Sequence, residues 1–359
     1  MTDMWINMGP QHPMNHGLWN LRVRVDGEII VEAIPQLGYL HRGIEKLCER
    51  RDFNQIIPLM DRLCYVSSLT WAHAYVLSVE DMMELEIPER AKYLRVIGLE
   101  LQRVASHLMW LAAFAPDLGL FSAYLYSMRE REYFLDMLQW LTGARMNQNY
   151  PRIGGVSKDM PDFFPDRCAK KLDYFERKLE EYKQLFDDNK VFKMRTQDVG
   201  VLSKEDAMNL GVTGPTLRGS NCPIDMRTHD PYEVYDELDW EVQVGKECDV
   251  WARFQVRMGE MRESCRIVRD ALKKMPGGPV RIKAPKRPTG QGFRRTEDSR
   301  GEALIYVVGN GEKSPYRVKI RSPIFAMMRA VPDMVVGNPV ADLLSIMGSI
   351  DVCIGDTDK

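Results

Sequence analysis

Apolar residues recur at helical spacing along most of this chain, from Gly43 to Met275, and this pattern constrains the fold more than any other feature. Such spacing places the side chains on one face of an α-helix. Four stripes of this kind are long enough to run beside one another, which predicts a helical bundle. The stripes are Ile97, Leu101, Val104, Leu108 and Leu111; Phe134, Met137, Leu138 and Leu141; Leu172, Phe175, Leu179, Tyr182 and Phe186; and Val250, Phe254, Met258, Met261, Cys265, Val268 and Leu272.

Alternating apolar residues, the pattern of β-strands, flank the helical region at both ends. The segment 19–31 alternates around an Asp26-Gly27 turn, which predicts a β-hairpin. Prolines, glycines and basic residues between Met275 and Arg300 predict a connecting segment. Alternation then resumes around residues 309–311, which predicts a second hairpin followed by a short helix.

These patterns together predict an α+β fold in four parts. They are an N-terminal antiparallel β region over 1–42, a large helical bundle over 43–275, a linker over 276–300, and a C-terminal β hairpin with a helix over 301–359. A chain of 359 residues that is 45% hydrophobic can bury a large core.

Charge and cysteine usage exclude several classes of protein. The formal charge of −2 and the lack of a basic stripe argue against nucleic-acid binding. No apolar run could span a bilayer and nothing resembles a signal peptide, so we expect a cytosolic or peripheral protein. Seven scattered cysteines without a CxxC pair suit a reducing compartment and do not favour a self-contained zinc or iron-sulfur site.

The N-terminal segment GPQHPMNHG brings two imidazoles, His12 and His16, into one loop. Such a loop can pass protons to a substrate, bind a metal or hydrogen-bond the backbone. Further along, Tyr65 follows Arg62 and Cys64, and a phenol that faces an imidazole could bind a carbonyl and deliver protons to it. The sequence does not show whether these groups meet.

Three other segments carry candidate residues, each with an ordinary structural alternative. His41 lies in GYLHRG, which is also typical of a plain turn. Asp117 follows an apolar helix, where an acid can relay protons or only cap the chain. Arg145 and Asn147 open the segment RMNQNYPRIGG, which could face an anionic cluster or partner, or could be a charged surface loop.

Seven segments in order resemble the 49-kDa catalytic subunit of respiratory complex I. They are GPQHPMNHG, GYLHRGIEK, ELQRVASHL, SMRERE, YPRIGGV, LGVTGPTLRGS and SPYRVKIRSP. The resemblance extends from end to end of the chain. It implies a subunit that holds no cofactor or metal of its own and forms a quinone pocket with a small iron-sulfur partner that carries the terminal [4Fe-4S] cluster.

The resemblance also assigns roles to individual residues. His16 and Tyr65 match the pair that holds the quinone head group, and Asp117 matches an acid that passes the redox event toward the membrane. The other residues that we expect to border the quinone or the partner's cluster are His12, His41, Arg62, Cys64, Arg145 and Asn147.

Two departures from the family pattern refine this expectation. The related [NiFe] hydrogenases need four thiolates, and here Cys64 and Cys353 keep only the first of each pair, so we expect no nickel-iron centre. Asn147 stands where the family commonly has a histidine beside the cluster. We expect a cluster of low, nearly pH-independent potential that serves a low-potential acceptor such as menaquinone or methanophenazine.

The resemblance therefore implies a peripheral-arm subunit of a complex I-like, proton-translocating oxidoreductase at the cytoplasmic face of the membrane. Its partners would be the iron-sulfur subunit, other peripheral-arm subunits and membrane-arm subunits, and its electron donor NADH or a reduced deazaflavin. Two alternatives stay open: a hydrogenase-derived, ferredoxin-linked subunit with another acceptor, and a structural scaffold without a redox site.

Overall fold

The computed structural model describes residues 3–10 and 16–359, and its centre is a bundle of long helices. Helix α4 (Glu89–Asp117) is buried on nearly all sides, and α5 (Phe121–Thr142) and α11 (Val250–Lys274) pack against it. Helix α6 (Phe164–Asp187) closes the bundle with one apolar face, while its charged residues stay in solvent. Each of the four apolar stripes lies on one of these helices, so the predicted bundle is confirmed. The long helices are α3 (Ser68–Met82), α4 (Glu89–Asp117), α5 (Phe121–Thr142), α6 (Phe164–Asp187) and α11 (Val250–Lys274).

An antiparallel sheet of three strands covers one end of the bundle. Strands β1 (Asp3–Met8), β2 (Asn20–Asp26) and β3 (Ile29–Gln36) are hydrogen-bonded in that order. The alternating residues of β2 point into the core, as its pattern predicts, and the turn falls at Asp26-Gly27. The predicted hairpin is thus β2 and β3, and β1 extends it to a sheet.

A second antiparallel sheet contains β6 (Thr289–Asp298), β7 (Gly301–Asn310) and β8 (Arg317–Arg321). Strands β7 and β8 are the predicted C-terminal hairpin. Strand β6, however, occupies the second half of the segment 276–300 that we interpreted as a linker, and this corrects that interpretation. The strand lacks apolar alternation because helix α3 packs directly on its backbone: a Cβ on Gly292 would lie 1.9 Å from the Ser78 carbonyl oxygen.

Short elements connect these parts and complete the chain. No helix in the described residues is long and apolar enough to cross a membrane. The short helices and strands are α1 (Ile44–Cys48), α2 (Phe53–Met60), β4 (Pro151–Arg152), β5 (Gly155–Val156), α7 (Lys190–Met194), α8 (Lys204–Asn209), α9 (Gly214–Gly219), α10 (Met226–His229), α12 (Pro323–Met327), α13 (Val331–Val335), α14 (Leu343–Ser349) and α15 (Ile354–Asp358).

The C-terminal segment returns to the N-terminal loop, and this return positions the candidate site. His16 donates its backbone N–H to Val352 O at 3.0 Å, and Ile354 donates its N–H to His16 O at 2.8 Å. These two bonds form a short parallel bridge between His16 and Cys353. Residues from opposite ends of the sequence therefore share one buried corner.

Candidate functional site

His16 and Tyr65 meet, as the sequence analysis predicts. The Tyr65 hydroxyl lies 2.9 Å from His16 Nδ1, and the two rings stand edge to face with centroids 5.5 Å apart. His16 is 5% exposed whereas Tyr65 is 45% exposed, so the phenol forms the outer half of the pair. Burial, together with the nearby Cys353 and Cys64 thiols, raises the pKa of Tyr65 and keeps the phenol protonated.

A buried carboxylate and a buried guanidinium support His16 from behind. His16 Nε2 lies 3.3 Å from Asp351 Oδ1, and Arg300 Nη2 lies 3.1 Å from Asp351 Oδ2. Burial by itself would raise the pKa of Asp351, but Arg300 and His16 outweigh it and hold the pKa well below its usual range. The ionised Asp351 faces Nε2, so Nδ1 is the nitrogen that faces the Tyr65 hydroxyl.

The loop between α2 and α3 holds Tyr65 at the surface by burying its neighbours. Cys64 and Val66, on either side of it, are fully buried. Gln102 donates its side-chain N–H to Val66 O at 2.6 Å, and the Ser67 hydroxyl donates to the Asp298 carboxylate. The backbone is therefore anchored to α4 and to the end of β6, and the Tyr65 ring projects outward from a fixed segment.

Cys64 takes part in a second cluster directly behind Tyr65. Arg300 Nη1 donates to Cys64 Sγ at 3.3 Å. The sulfur atoms of Cys64 and Cys353 and a carboxylate oxygen of Asp356 lie within 4.8 Å of one another, and all three side chains are buried. Arg300 thus connects this cluster to the Asp351 carboxylate that supports His16.

Two further predicted residues border this corner without joining the pair. His41 Nδ1 lies 2.6 Å from Asp358 O, which fixes this exposed ring against the C-terminal helix α15. The exposed Arg62 donates to Pro58 O at 2.8 Å, one helical turn back. His12 lies outside the described residues.

The other predicted residues lie at the end of α4 and in the segment after α5, which is bonded to Ser68, three residues after Tyr65, through Gln148. Asp117 is the half-buried last residue of α4. It is not one of the residues in the contacts that join His16 to Tyr65 and Asp351. Arg145 pairs with Glu132 and, at 3.7 Å, with Asp136. Asn147 is half-buried with a φ of 50°, and its backbone carbonyl accepts a bond from Asn149.

Sequence reasoning missed Asp351, Arg300 and Asp356. Arg300 and Asp351 lie in turns and Asp356 lies in the short helix α15, and all three are outside the recognised motifs. The one available signal was Cys353-Ile354-Gly355-Asp356, where Asp356 occupies the second position of a Cys-x-x-Cys pair.

Comparisons with known proteins identify the class and then the family. A model of nickel-dependent hydrogenases matches residues 42–115, and this range contains α2, α3 and the Tyr65 loop. The chain is thus built like the large subunit of a hydrogenase-related oxidoreductase. The model of the 49-kDa subunit of respiratory-chain NADH dehydrogenase matches residues 117–287 and 282–359, which is more than half of the chain. This protein belongs to that family.

Individual relatives agree with this assignment over the full length of the chain. An NADH-quinone oxidoreductase subunit of Dehalococcoides mccartyi is 45% identical over 99% of this chain and 98% of its own length. The corresponding protein of Desulforamulus reducens is 42% identical with the same coverage. Among solved structures, a chain of a membrane-bound sulfane sulfur reductase, an archaeal respiratory membrane complex, is 34% identical with a TM-score of 0.95 over 99% of this chain and 98% of that chain.

The cysteine cluster does not fit the nickel-iron centre that the hydrogenase resemblance raises. Such a centre takes two Cys-x-x-Cys pairs, and here Ser67 and Asp356 stand at the second position of each. The Ser67 hydroxyl is also engaged with Asp298, so the four-thiolate donor set is missing.

Proposed function

We propose that this chain is the quinone-pocket subunit of a complex I-like oxidoreductase. One observation carries the proposal: the Tyr65 hydroxyl lies 2.9 Å from His16 Nδ1, with the phenol exposed and the imidazole buried. The relatives named for NADH-quinone oxidoreductase support the acceptor class.

The pair suits the head group of a quinone because a carbonyl oxygen accepts hydrogen bonds. The raised pKa of Tyr65 keeps its O–H available as a donor to that oxygen. As electrons reach the quinone, Tyr65 passes its proton to the acceptor and takes another from His16 Nδ1. Asp351 stabilises the charged imidazole that this exchange requires. Two electrons and two protons convert the quinone to a quinol.

The electrons come one at a time from a [4Fe-4S] cluster held by a partner subunit, and this chain contributes position, polarity and protons. Arg145 and Asn147 face that partner in the proposal, and Asp117 couples the site toward the membrane arm. The chain binds at the cytoplasmic face of the membrane as a peripheral subunit. Because Asn147 offers no ionisable group, a low-potential acceptor such as menaquinone or methanophenazine fits best, with NADH or a reduced deazaflavin as donor.

The test is Tyr65→Phe, which removes the hydroxyl and keeps the ring. We expect turnover of the assembled complex with quinone to fall about 100-fold or more, as loss of a general acid predicts. Tyr316→Phe is the matched control, because Tyr316 is 70% exposed and lies outside the site. Unchanged turnover in the Tyr65→Phe complex would favour a structural scaffold instead.

A second candidate is reduction of another acceptor at the same place. The Cys64 and Cys353 thiols behind the His16–Tyr65 pair and the structural similarity to a sulfane sulfur reductase favour this possibility. Inhibitor-sensitive quinone reduction would support the first function, whereas hydrogen evolution or polysulfide reduction without quinone turnover would support the second.

A further inference from the structure

The cluster of Cys64, Cys353 and Asp356 holds more acidic groups than its surroundings neutralise. All three side chains are at most 1% exposed. The neighbouring cation, Arg300, also pairs with Asp351 at 3.1 Å and approaches Asp298 at 4.0 Å. Buried acids of this kind either keep their protons or share a further cation.

One carboxylate oxygen of Asp356 is buried without a partner among the residues that the structure describes. Asp356 Oδ1 accepts from the Ser322 hydroxyl at 3.0 Å, whereas its buried Oδ2 has no hydrogen-bond partner within the described parts of the chain.

We propose that Cys64, Cys353 and Asp356 bind a single zinc ion. Two thiols and a carboxylate are ligands that zinc accepts, in a tetrahedral arrangement that leaves a fourth position for water. Zinc-sulfur bonds of about 2.3 Å place two sulfurs about 3.8 Å apart, which is compatible with ligand atoms that all lie within 4.8 Å of one another.

Zinc bound by two thiolates and one carboxylate leaves a site with one net negative charge. Arg300 faces that charge, because its Nη1 already donates to Cys64 Sγ at 3.3 Å, as a supporting donor to a metal-bound thiolate does.

The two ligand segments are held together before any metal arrives. Arg42 donates to Arg62 O and to Gly355 O, both at 2.9 Å, and so bridges the segments that carry the ligands. A Cβ on Gly355 would lie 2.4 Å from Leu63 O, which shows how closely the backbones approach. A search for a CxxC pair misses such a site because each segment supplies one thiol.

The zinc site is independent of the proposed quinone chemistry, although it lies behind the same pair. Cys64 precedes Tyr65 in the chain, and Cys353 is bridged to the His16 backbone. A bound zinc ion would hold both segments in register and so fix the distance between the phenol and the imidazole.

The experiment measures zinc in the assembled complex, purified from cells grown with added zinc and dialysed against buffer that contains zinc at a low, fixed concentration. The variants are Cys64→Ser, Cys353→Ser and Asp356→Asn. Cys168→Ser is the control because Cys168 is a buried thiol of α6, away from the cluster. Mass-spectrometric metal analysis counts zinc ions, and zinc-edge X-ray absorption identifies their ligands.

We expect one more zinc ion per complex in the wild type and in Cys168→Ser than in Cys64→Ser or Cys353→Ser. Asp356→Asn should bind zinc at least about tenfold more weakly, and the absorption data should show two sulfurs at about 2.3 Å. Equal zinc content in all variants would overturn the proposal, as would a Cys64–Cys353 disulfide in the wild type. Because Tyr65→Phe leaves the ligands intact, it should keep its zinc whatever its turnover, which separates this test from that of the proposed function.

Discussion

Asp351→Asn is the most informative substitution in the site because it removes one charge and little else. Asp351 has a φ of 55°, a left-handed conformation that asparagine adopts more readily than most residues. The asparagine therefore fits the backbone and still offers a carbonyl oxygen to His16 Nε2. What is lost is the negative charge between His16 and Arg300.

The size of the effect follows from the separation of the charges. At 3.3 Å between His16 Nε2 and Asp351 Oδ1, and with an effective dielectric constant of about 20, a charged pair is worth about 5 kcal/mol. The asparagine oxygen retains part of this interaction. If the substitution removes about half of this interaction energy from the charged imidazole, turnover falls about 100-fold. Each factor of ten in rate corresponds to about 1.4 kcal/mol.

The assay is quinone reduction by the assembled complex, with kcat and KM measured separately. We expect the loss in kcat and a KM within about threefold of the wild type, because the charge acts on proton transfer more than on binding. Asp225→Asn is the control, because Asp225 is an equally buried carboxylate outside the site. Its ion pair with Arg227 has a length of 2.7 Å. The reasoning fails if Asp351→Asn keeps wild-type kcat, or if both variants lose activity equally.

Two further predictions concern Asp61, which is buried, and Asn147, which we expect to face the partner. Burial raises the pKa of Asp61 to about 7, so its contribution to stability is complete below the unfolded pKa of about 4 and is lost as the pH rises through 7. At pH 8, Asp61→Asn should then be more stable than the wild type by up to about 4 kcal/mol in thermal or urea unfolding. The difference in stability should vanish near pH 4, and a difference that stays constant with pH would contradict this prediction. Asn147→His, which its φ of 50° tolerates, should make the potential of the partner's cluster fall by up to roughly 60 mV per pH unit in an EPR titration. A pH-independent potential in this variant would exclude contact between residue 147 and the cluster.

The helical core could be predicted because its information is local. Each stripe of α4, α5, α6 and α11 repeats within one helix, and burial of that face determines where the helix packs. Strand β6 could not be predicted, because close backbone packing at Gly292 replaces side-chain burial there, and glycine in a sequence indicates a turn as often as a close approach.

The candidate site likewise contains residues that the sequence predicts and residues that it does not. His16 and Tyr65 belong to segments that resemble a known family, and the structure brings them together. Arg300 and Asp351 carry no local pattern, because their pairing at 3.1 Å depends on a turn after β6 meeting the segment after α14. Arginine and aspartate are also most often exposed, so their sequence gives no reason to expect full burial.

The burial of Arg300 explains why this corner of the fold is arranged as one unit. Removing its charge would leave Asp351 and Asp298 without their shared cation, and a buried carboxylate without a partner costs several kcal/mol. Arg300 also donates to Cys64, the residue before Tyr65, while Asp351 supports His16. The same ion pair that stabilises the corner therefore supports both members of the His16–Tyr65 pair. A substitution at Arg300 should alter stability and turnover together, whereas Tyr65→Phe should alter turnover alone.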